Sequence, residues 1–302
     1  MRGLLALMLA CLLILPVLAG CQGEQEEAVG IEKAQINKNG ELVITYTDGT
    51  KDNLGVIVGA DGEDGEDGTD GENGQNGTGS SMCTAVATAL RSSVSVYCTG
   101  SRVDGYSAGS GVIYRLDKEQ GEAFIITNYH VVYGKEAGTK NGIWEDIEVY
   151  LYGGQLEGLE IKAEYVGGSQ NYDIAVLHVT DSDVLRQSHA AAVTVADSDL
   201  VLPGQTAIAV GNAEGEGIAA TAGIVSVDSE HITMTSADET TRVDHRVMRI
   251  DTAVNHGNSG GGLFNDQGQL IGIVNAKIID EDVESIGYAI PGRVAIGAAQ
   301  NI

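Results

Sequence analysis

From Ser93 onward, short apolar runs recur every ten to fifteen residues, and glycine, asparagine or aspartate interrupts them. The runs include Gly111–Arg115, Ala123–Thr127, Ile147–Leu151, Ile174–His178, Thr206–Val210, Ile224–Val227, Val247–Ile250 and Leu270–Val274. Segments this short are the length of strands, and glycine-rich punctuation at this spacing predicts an all-β sandwich or barrel. The stretch is long enough for two barrels in tandem, over about 93–195 and 200–292. Aromatic residues make up only 5% of the chain, whereas glycines number 42, which suits short strands and tight turns better than a helical bundle.

The N-terminus reads as an address. Met1-Arg2 precedes an apolar run from Leu4 to Leu18, and small residues follow. This is the pattern of a secretory signal, and the run is short for a membrane-spanning helix of about 20 residues. Leu18-Ala19-Gly20-Cys21 resembles the lipobox of bacterial lipoproteins. That resemblance implies a signal peptide over 1–20, cleavage before Cys21, and a diacylglyceryl group on the Cys21 thiol. Two acyl chains suffice for stable anchoring where one is marginal. The expected location is the extracytoplasmic face of a bacterial cell membrane. Ordinary secretion with an incidental cysteine is the plainer alternative.

A flexible leader is expected over 21–30 and a small β module over 31–58. In the module Leu42, Ile44 and Tyr46 alternate with Val43 and Thr45, and Asn39-Gly40 and Asp48-Gly49 mark turns. Glycine then occupies every third position from Gly59 to Gly77, with Asp, Glu and Asn filling most places between. The 59–80 segment is similar to a collagen Gly-X-Y repeat, but it lacks proline, and like charges would repel across three chains. An extended acidic spacer is the expectation, with a triple helix as the alternative. The remaining 81–302 is assigned to one large domain.

Beyond Cys21, Cys83 and Cys98 are the two cysteines of the mature body. Thr84 to Arg91 reads as a helix and Ser93 to Tyr97 as a strand, and a reversal between them would bring the two sulfurs together. In an oxidising compartment this predicts a disulfide, with two separate buried thiols as the alternative.

The net charge of −26 excludes nucleic acid as a partner, because phosphate binding needs basic surface. The sequence holds no Walker loop, no dinucleotide fingerprint and no Cys/His metal cluster, so no cofactor and no metal are assigned.

Three places carry chemistry. Thr127-Asn128-Tyr129-His130 runs from an apolar strand into a histidine. Tyr172-Asp173-Ile174 opens an apolar strand with an acid. Gly257-Asn258-Ser259-Gly260-Gly261 frames a serine with glycines, which tolerate φ > 0 and can turn backbone N–H groups inward. Singly, each has a plain reading: a core histidine, a strand-start acid, a polar turn. Together they supply a base, the carboxylate that orients it, and a nucleophile, in the chain order His, Asp, Ser found in chymotrypsin-type enzymes.

Seven motifs in one order make the resemblance specific. They are Ser110-Gly111-Val112-Ile113, Thr127 to Val132, Tyr172 to Leu177, Ala209-Val210-Gly211-Asn212, Ala222 to Ser226, Gly257 to Gly261, and Ile286 to Pro291. The chain from about 84 to 295 resembles a trypsin-like serine protease of the HtrA (DegP) group. The resemblance implies a chymotrypsin-like double β-barrel, with His130 and Asp173 on the first barrel and Ser259 on the second. It implies a serine endopeptidase acting on polypeptide substrates, with His130, Asp173 and Ser259 catalytic and the N–H groups of Gly257 and Ser259 forming the oxyanion hole. Members of the group are often trimers, so a homotrimer is implied as well. The wall of the substrate pocket would include Ile273-Val274-Asn275, and with no acid at its base, small or medium apolar P1 residues are expected.

The sequence also departs from the group. No PDZ domain is expected after Pro291, and the residues hold no Ile-Val-Gly-Gly start of the kind trypsin-style zymogens expose. Ordering of the loops around Gly257 is therefore expected to govern activity. Two competing readings keep parts of this picture: a catalytically silent, peptide-binding pseudo-protease, and a structural surface lipoprotein working through the β module and glycine triplets. His256, beside the oxyanion loop, reads as an exposed loop residue.

Overall fold

A computed structural model describes residues 29–57, 81–101, 105–135, 141–154, 158–275 and 286–302. The signal segment, the lipobox with Cys21, and the Gly-X-Y spacer lie outside the described residues. The chain divides into two compact units, Met1–Gly74 and Gln75–Ile302.

In the first unit, β1 (Ile31–Ile36), β2 (Glu41–Tyr46) and β3 (Lys51–Val56) form an antiparallel sheet in sequence order. Asn37 shapes the first turn, its Oδ1 accepting from the N–H groups of Asn39 and Glu41. Asp48 shapes the second by the same device, accepting from Thr50 N–H at 2.8 Å. The alternation in β2 leaves its residues only half-buried, while β1 and most of β3 are exposed. Three short strands enclose no core, so this sheet owes its order to turns and ladder hydrogen bonds.

The second unit holds two closed six-stranded barrels. The first comprises β4 (Ser93–Thr99), β5 (Tyr106–Asp117), β6 (Glu122–Thr127), β7 (Asp146–Leu151), β8 (Ile161–Ser169) and β9 (Ile174–Val179), in the order β4-β5-β6-β9-β8-β7. The second comprises β10 (Thr206–Gly211), β11 (Ala219–Thr235), β12 (Arg242–Ile250), β13 (Gly262–Phe264), β14 (Leu270–Val274) and β15 (Gly287–Pro291), in the order β10-β11-β12-β15-β14-β13. Both orders are the same path, 1-2-3-6-5-4, traced twice. All eight apolar runs singled out in the sequence fall on these strands.

Side chains alternate between the faces of a strand, and here both faces are buried. Ile113, Ile125, Ala175 and Leu177 point into the first barrel. Ala207, Ala209, Met248 and Leu263 fill the second. Their neighbours Val112, Ile126, Ile174, Ile208, Val210 and Phe264 point the other way into a third cluster shared by the two barrels. Two helices seal that seam. Helix α1 (Ser81–Arg91) contributes Ala85 and Ala89, four residues apart on one face, and the C-terminal helix (Gly292–Gln300) contributes Ala295 and Ala298.

The predicted Cys83–Cys98 disulfide is not formed. Cys98 is wholly buried in the core of the first barrel, whereas Cys83 lies exposed on α1. The reversal from helix to strand does occur, but the helix packs into the seam between barrels rather than along β4. The two side chains therefore face different surroundings. Burial pushes the Cys98 thiol up to about 12.

Candidate active site

His130 sits on α2 (Tyr129–Val132), a single helical turn that begins where β6 ends. Its one-turn length puts the imidazole at the rim of the first barrel. Asp173 follows β8 and precedes β9, and its backbone is left-handed, at φ +50°. Aspartate is among the few residue types that adopt this conformation readily. The bend lets one residue make contacts in several directions. Its Oδ1 accepts the backbone N–H of His130 at 3.0 Å, and its Oδ2 lies 2.7 Å from His130 Nδ1. Its own carbonyl accepts from Asn128 Nδ2 at 2.8 Å.

Ser259 comes from the other barrel, on the turn between β12 and β13. Gly261 N–H donates to the Asn258 carbonyl at 3.0 Å, closing that turn, and the Ser259 carbonyl accepts from Ser110 N–H at 2.8 Å. Two glycines are required here. Gly260 has φ +84°, and a Cβ on it would lie 2.3 Å from both the Ser110 carbonyl oxygen and Thr127 Oγ1. Gly257 has φ +88°, and its Cβ would lie 2.2 Å from the Asn212 carbonyl oxygen.

The three predicted catalytic residues meet. Ser259 Oγ is 2.9 Å from His130 Nε2. A carboxylate only accepts hydrogen bonds, so the proton of the neutral imidazole belongs on Nδ1, facing Asp173. Nε2 then carries the lone pair and accepts from the serine hydroxyl. Asp173 and Ser259 are buried, while the histidine side chain keeps 19% exposure, enough to meet a substrate.

Several supporting residues escaped the sequence reading. Asn275 was placed on the pocket wall, yet its Nδ2 donates to Asp173 Oδ2 at 2.8 Å, so that oxygen serves both the histidine and the asparagine. Ser110 was read only as part of a motif. Its Oγ donates to the Gly257 carbonyl and accepts from Asn212 N–H, both at 2.7 Å. The signal available for both was position: polar residues inside otherwise apolar strand text, which in a core must find partners. His256 is exposed, as expected, and its carbonyl accepts from Glu214 N–H at 2.7 Å. Among the described residues, no group of His, Cys, Asp and Glu is arranged to hold a metal ion.

The model of the trypsin-like peptidase domain matches residues 109–273, which span all three members of this relay. The chain belongs to the trypsin-like peptidase family. It is 40% identical over 189 residues to the serine protease Do-like HtrA of Bacillus subtilis (strain 168), covering 62% of this chain and 37% of that protein. It is 38% identical over 195 residues to the serine protease Do-like HtrA of Lactococcus lactis subsp. lactis (strain IL1403), covering 62% and 42%. The periplasmic pH-dependent serine endoprotease DegQ of Escherichia coli (strain K12) is 34% identical over 197 residues, covering 64% and 37%. The chain thus spans about two fifths of the length of the curated relatives it matches. Among solved structures, the HtrA-type protease AlgW with a tripeptide superposes with a TM-score of 0.57 at 30% identity, over 73% of this chain and 63% of that one. A protease from M. tuberculosis in its active form superposes at 0.58 over 73% and 85%, and at 20% identity it speaks for the shared fold alone.

Proposed function

We propose that this family member is an extracytoplasmic serine endopeptidase of the HtrA type, anchored to the membrane through a lipid on Cys21 and acting on unfolded or surface polypeptides. One observation carries the chemistry: the unbroken path from Asp173 through His130 to Ser259, with spacings of 2.7 and 2.9 Å, assembled across two barrels. A hydroxyl becomes an effective nucleophile when a base beside it can take its proton, and the base works best when a third group fixes its orientation.

In the first half-reaction, Ser259 Oγ bonds to the scissile carbonyl carbon as its proton passes to His130 Nε2. The carbonyl π electrons move to oxygen, and the N–H groups of Gly257 and Ser259 receive that anion. Collapse of the tetrahedral species breaks the C–N bond, and His130 returns the proton to the departing amine. The acyl-enzyme is then hydrolysed by the same steps, with water in the place of the serine. Asp173 stays ionised throughout and stabilises the imidazolium.

The lipobox resemblance at Leu18 to Cys21 supports the anchor, and the apolar run before it supports export. Similarity to proteins named as periplasmic serine proteases supports the same compartment.

The test is labelling of the full chain with a fluorophosphonate, which reacts only with a serine activated in this way. The parent should label and Ser259→Ala should not. A folded parent that stays unlabelled in the presence of peptide and membrane would overturn the peptidase reading.

A further inference from the structure

The Asn212–Gly217 segment joins β10 to β11 and grips the oxyanion loop. Glu214 N–H donates to the His256 carbonyl at 2.7 Å. The described backbone has no cis peptide bonds, so the His256–Gly257 peptide is planar and trans, and its N–H points opposite to that carbonyl. The following peptide is also held, since the Gly257 carbonyl accepts from Ser110 Oγ at 2.7 Å. Both peptide planes flanking Gly257 are therefore fixed from outside the loop.

The segment that does this is itself tied to the first barrel. Tyr97, on β4, donates its phenolic O–H to the Gly215 carbonyl at 3.0 Å and accepts from Asn212 Nδ2 at 3.0 Å. Asn212 Oδ1 accepts from Gly217 N–H at 2.8 Å, closing the segment on itself. Between these two attachment points Glu214 holds a left-handed backbone at φ +54°. A non-glycine residue keeps such a conformation only where its surroundings dictate it.

We propose that Tyr97 is a positioning residue for the oxyanion hole: its hydroxyl, on the first barrel, holds the segment that aims the Gly257 N–H. This rests on the peptidase reading above, in which that N–H receives the oxyanion. Tyr97 acts through Asn212, Gly215 and Glu214, and its ring has an anchor of its own, lying edge-on to Tyr150 at 5.6 Å. Tyr97→Phe thus removes the hydroxyl and keeps the ring contact.

The experiment compares the full-length parent, Tyr97→Phe and Ser259→Ala. Deleting an oxyanion donor outright lowers kcat by about 10²–10³-fold, so loosening one should lower it by about tenfold, with KM changed less than about twofold. Affinity for a peptidyl boronate, which builds a tetrahedral anion on the serine, should fall by the same factor. Affinity for a cleaved product peptide and the midpoint of the pH–rate profile should not move, because the His130–Asp173 pair is untouched. Asn212→Asp, which replaces the donor facing Tyr97 with an acceptor, should give the same split. Unchanged kcat and boronate affinity in Tyr97→Phe would overturn the proposal, and so would an equal loss of boronate and product affinity. A parent that ignores both fluorophosphonate and boronate would instead overturn the peptidase reading on which it stands.

Discussion

Asn275 donates its side-chain N–H to the same carboxylate oxygen of Asp173 that faces His130, at 2.8 Å. The asparagine comes from the end of β14 on the second barrel and the aspartate from the first, so this bond joins the barrels beneath the base. It leaves Asp173 with hydrogen bonds from three described donors: the His130 ring, the His130 backbone and Asn275. Hydrogen bonds to an ionised group are worth about 1.5–3 kcal/mol, and each 1.36 kcal/mol is about tenfold in rate. Asn275→Ala should therefore lower kcat/KM by about tenfold to a hundredfold while Ser259 still labels. Steady-state kinetics on a peptide substrate would show it, and an unchanged kcat/KM would mean the bond has no part in orienting the base.

Asp173→Asn should be more severe. An amide can present its N–H to the imidazole and force the proton to Nε2, where it blocks acceptance from Ser259. The same exchange in chymotrypsin-type enzymes lowers kcat by about 10⁴, with the geometry retained. Activity within tenfold of the parent in a folded variant would contradict the assigned role of the acid.

Gly260→Ala should damage the fold rather than the chemistry alone. The added methyl would lie 2.3 Å from two oxygens, in a backbone that disfavours side chains. Overpacking and backbone strain each cost about 1–3 kcal/mol. A thermal midpoint lowered by several degrees is expected in differential scanning calorimetry, together with loss of activity.

Cys98 should resist alkylation in the native protein and react only on unfolding, because its thiol is buried and pushed up to about 12. Peptide mapping without reductant should find no peptide pair joined through Cys83 and Cys98. A joined pair would restore the disulfide.

The turn at the tip of the β11–β12 ribbon predicts a titration. Hydrogen bonds from the Ser236 hydroxyl and from the Thr240 N–H and hydroxyl hold the Asp238 carboxyl down to about 2. A carboxyl lowered in the folded state adds stability that is present above its unfolded value and lost as pH falls through the folded one. NMR titration of Asp238 should give a midpoint near 2, and the turn should loosen between about pH 4 and 2. A midpoint near 4 would mean that these bonds do not form in solution.

The repeating apolar runs were enough to read the strands and the all-β barrels, because a strand buried on both faces shows as continuous Val, Ile and Ala text. That the three candidate catalytic residues meet was legible for a related reason: each is a polar residue near the edge of such a run, where chain reversal brings barrel rims together. Asn275 and Ser110 were harder, since their partners lie 102 and 147 residues away and only closure of both barrels reveals them. The disulfide failed because lengths of helix and strand say how far a chain travels, not which core its side chains enter. The weak burial of the small sheet was equally hidden, as alternation along β2 records which face a residue takes and not whether anything covers it.

The apolar seam between the barrels has a consequence for catalysis. His130 and Ser259 belong to separate barrels, so their 2.9 Å spacing depends on how the barrels pack rather than on either barrel alone. Val112, Ile126 and Ile174 on one side and Ile208, Val210 and Phe264 on the other act as the spacer block that sets it. If the proposed function holds, trimming any of them should alter that spacing before it alters either barrel, and such a variant should keep His130, Asp173, Ser259 and its fold yet lose its reaction.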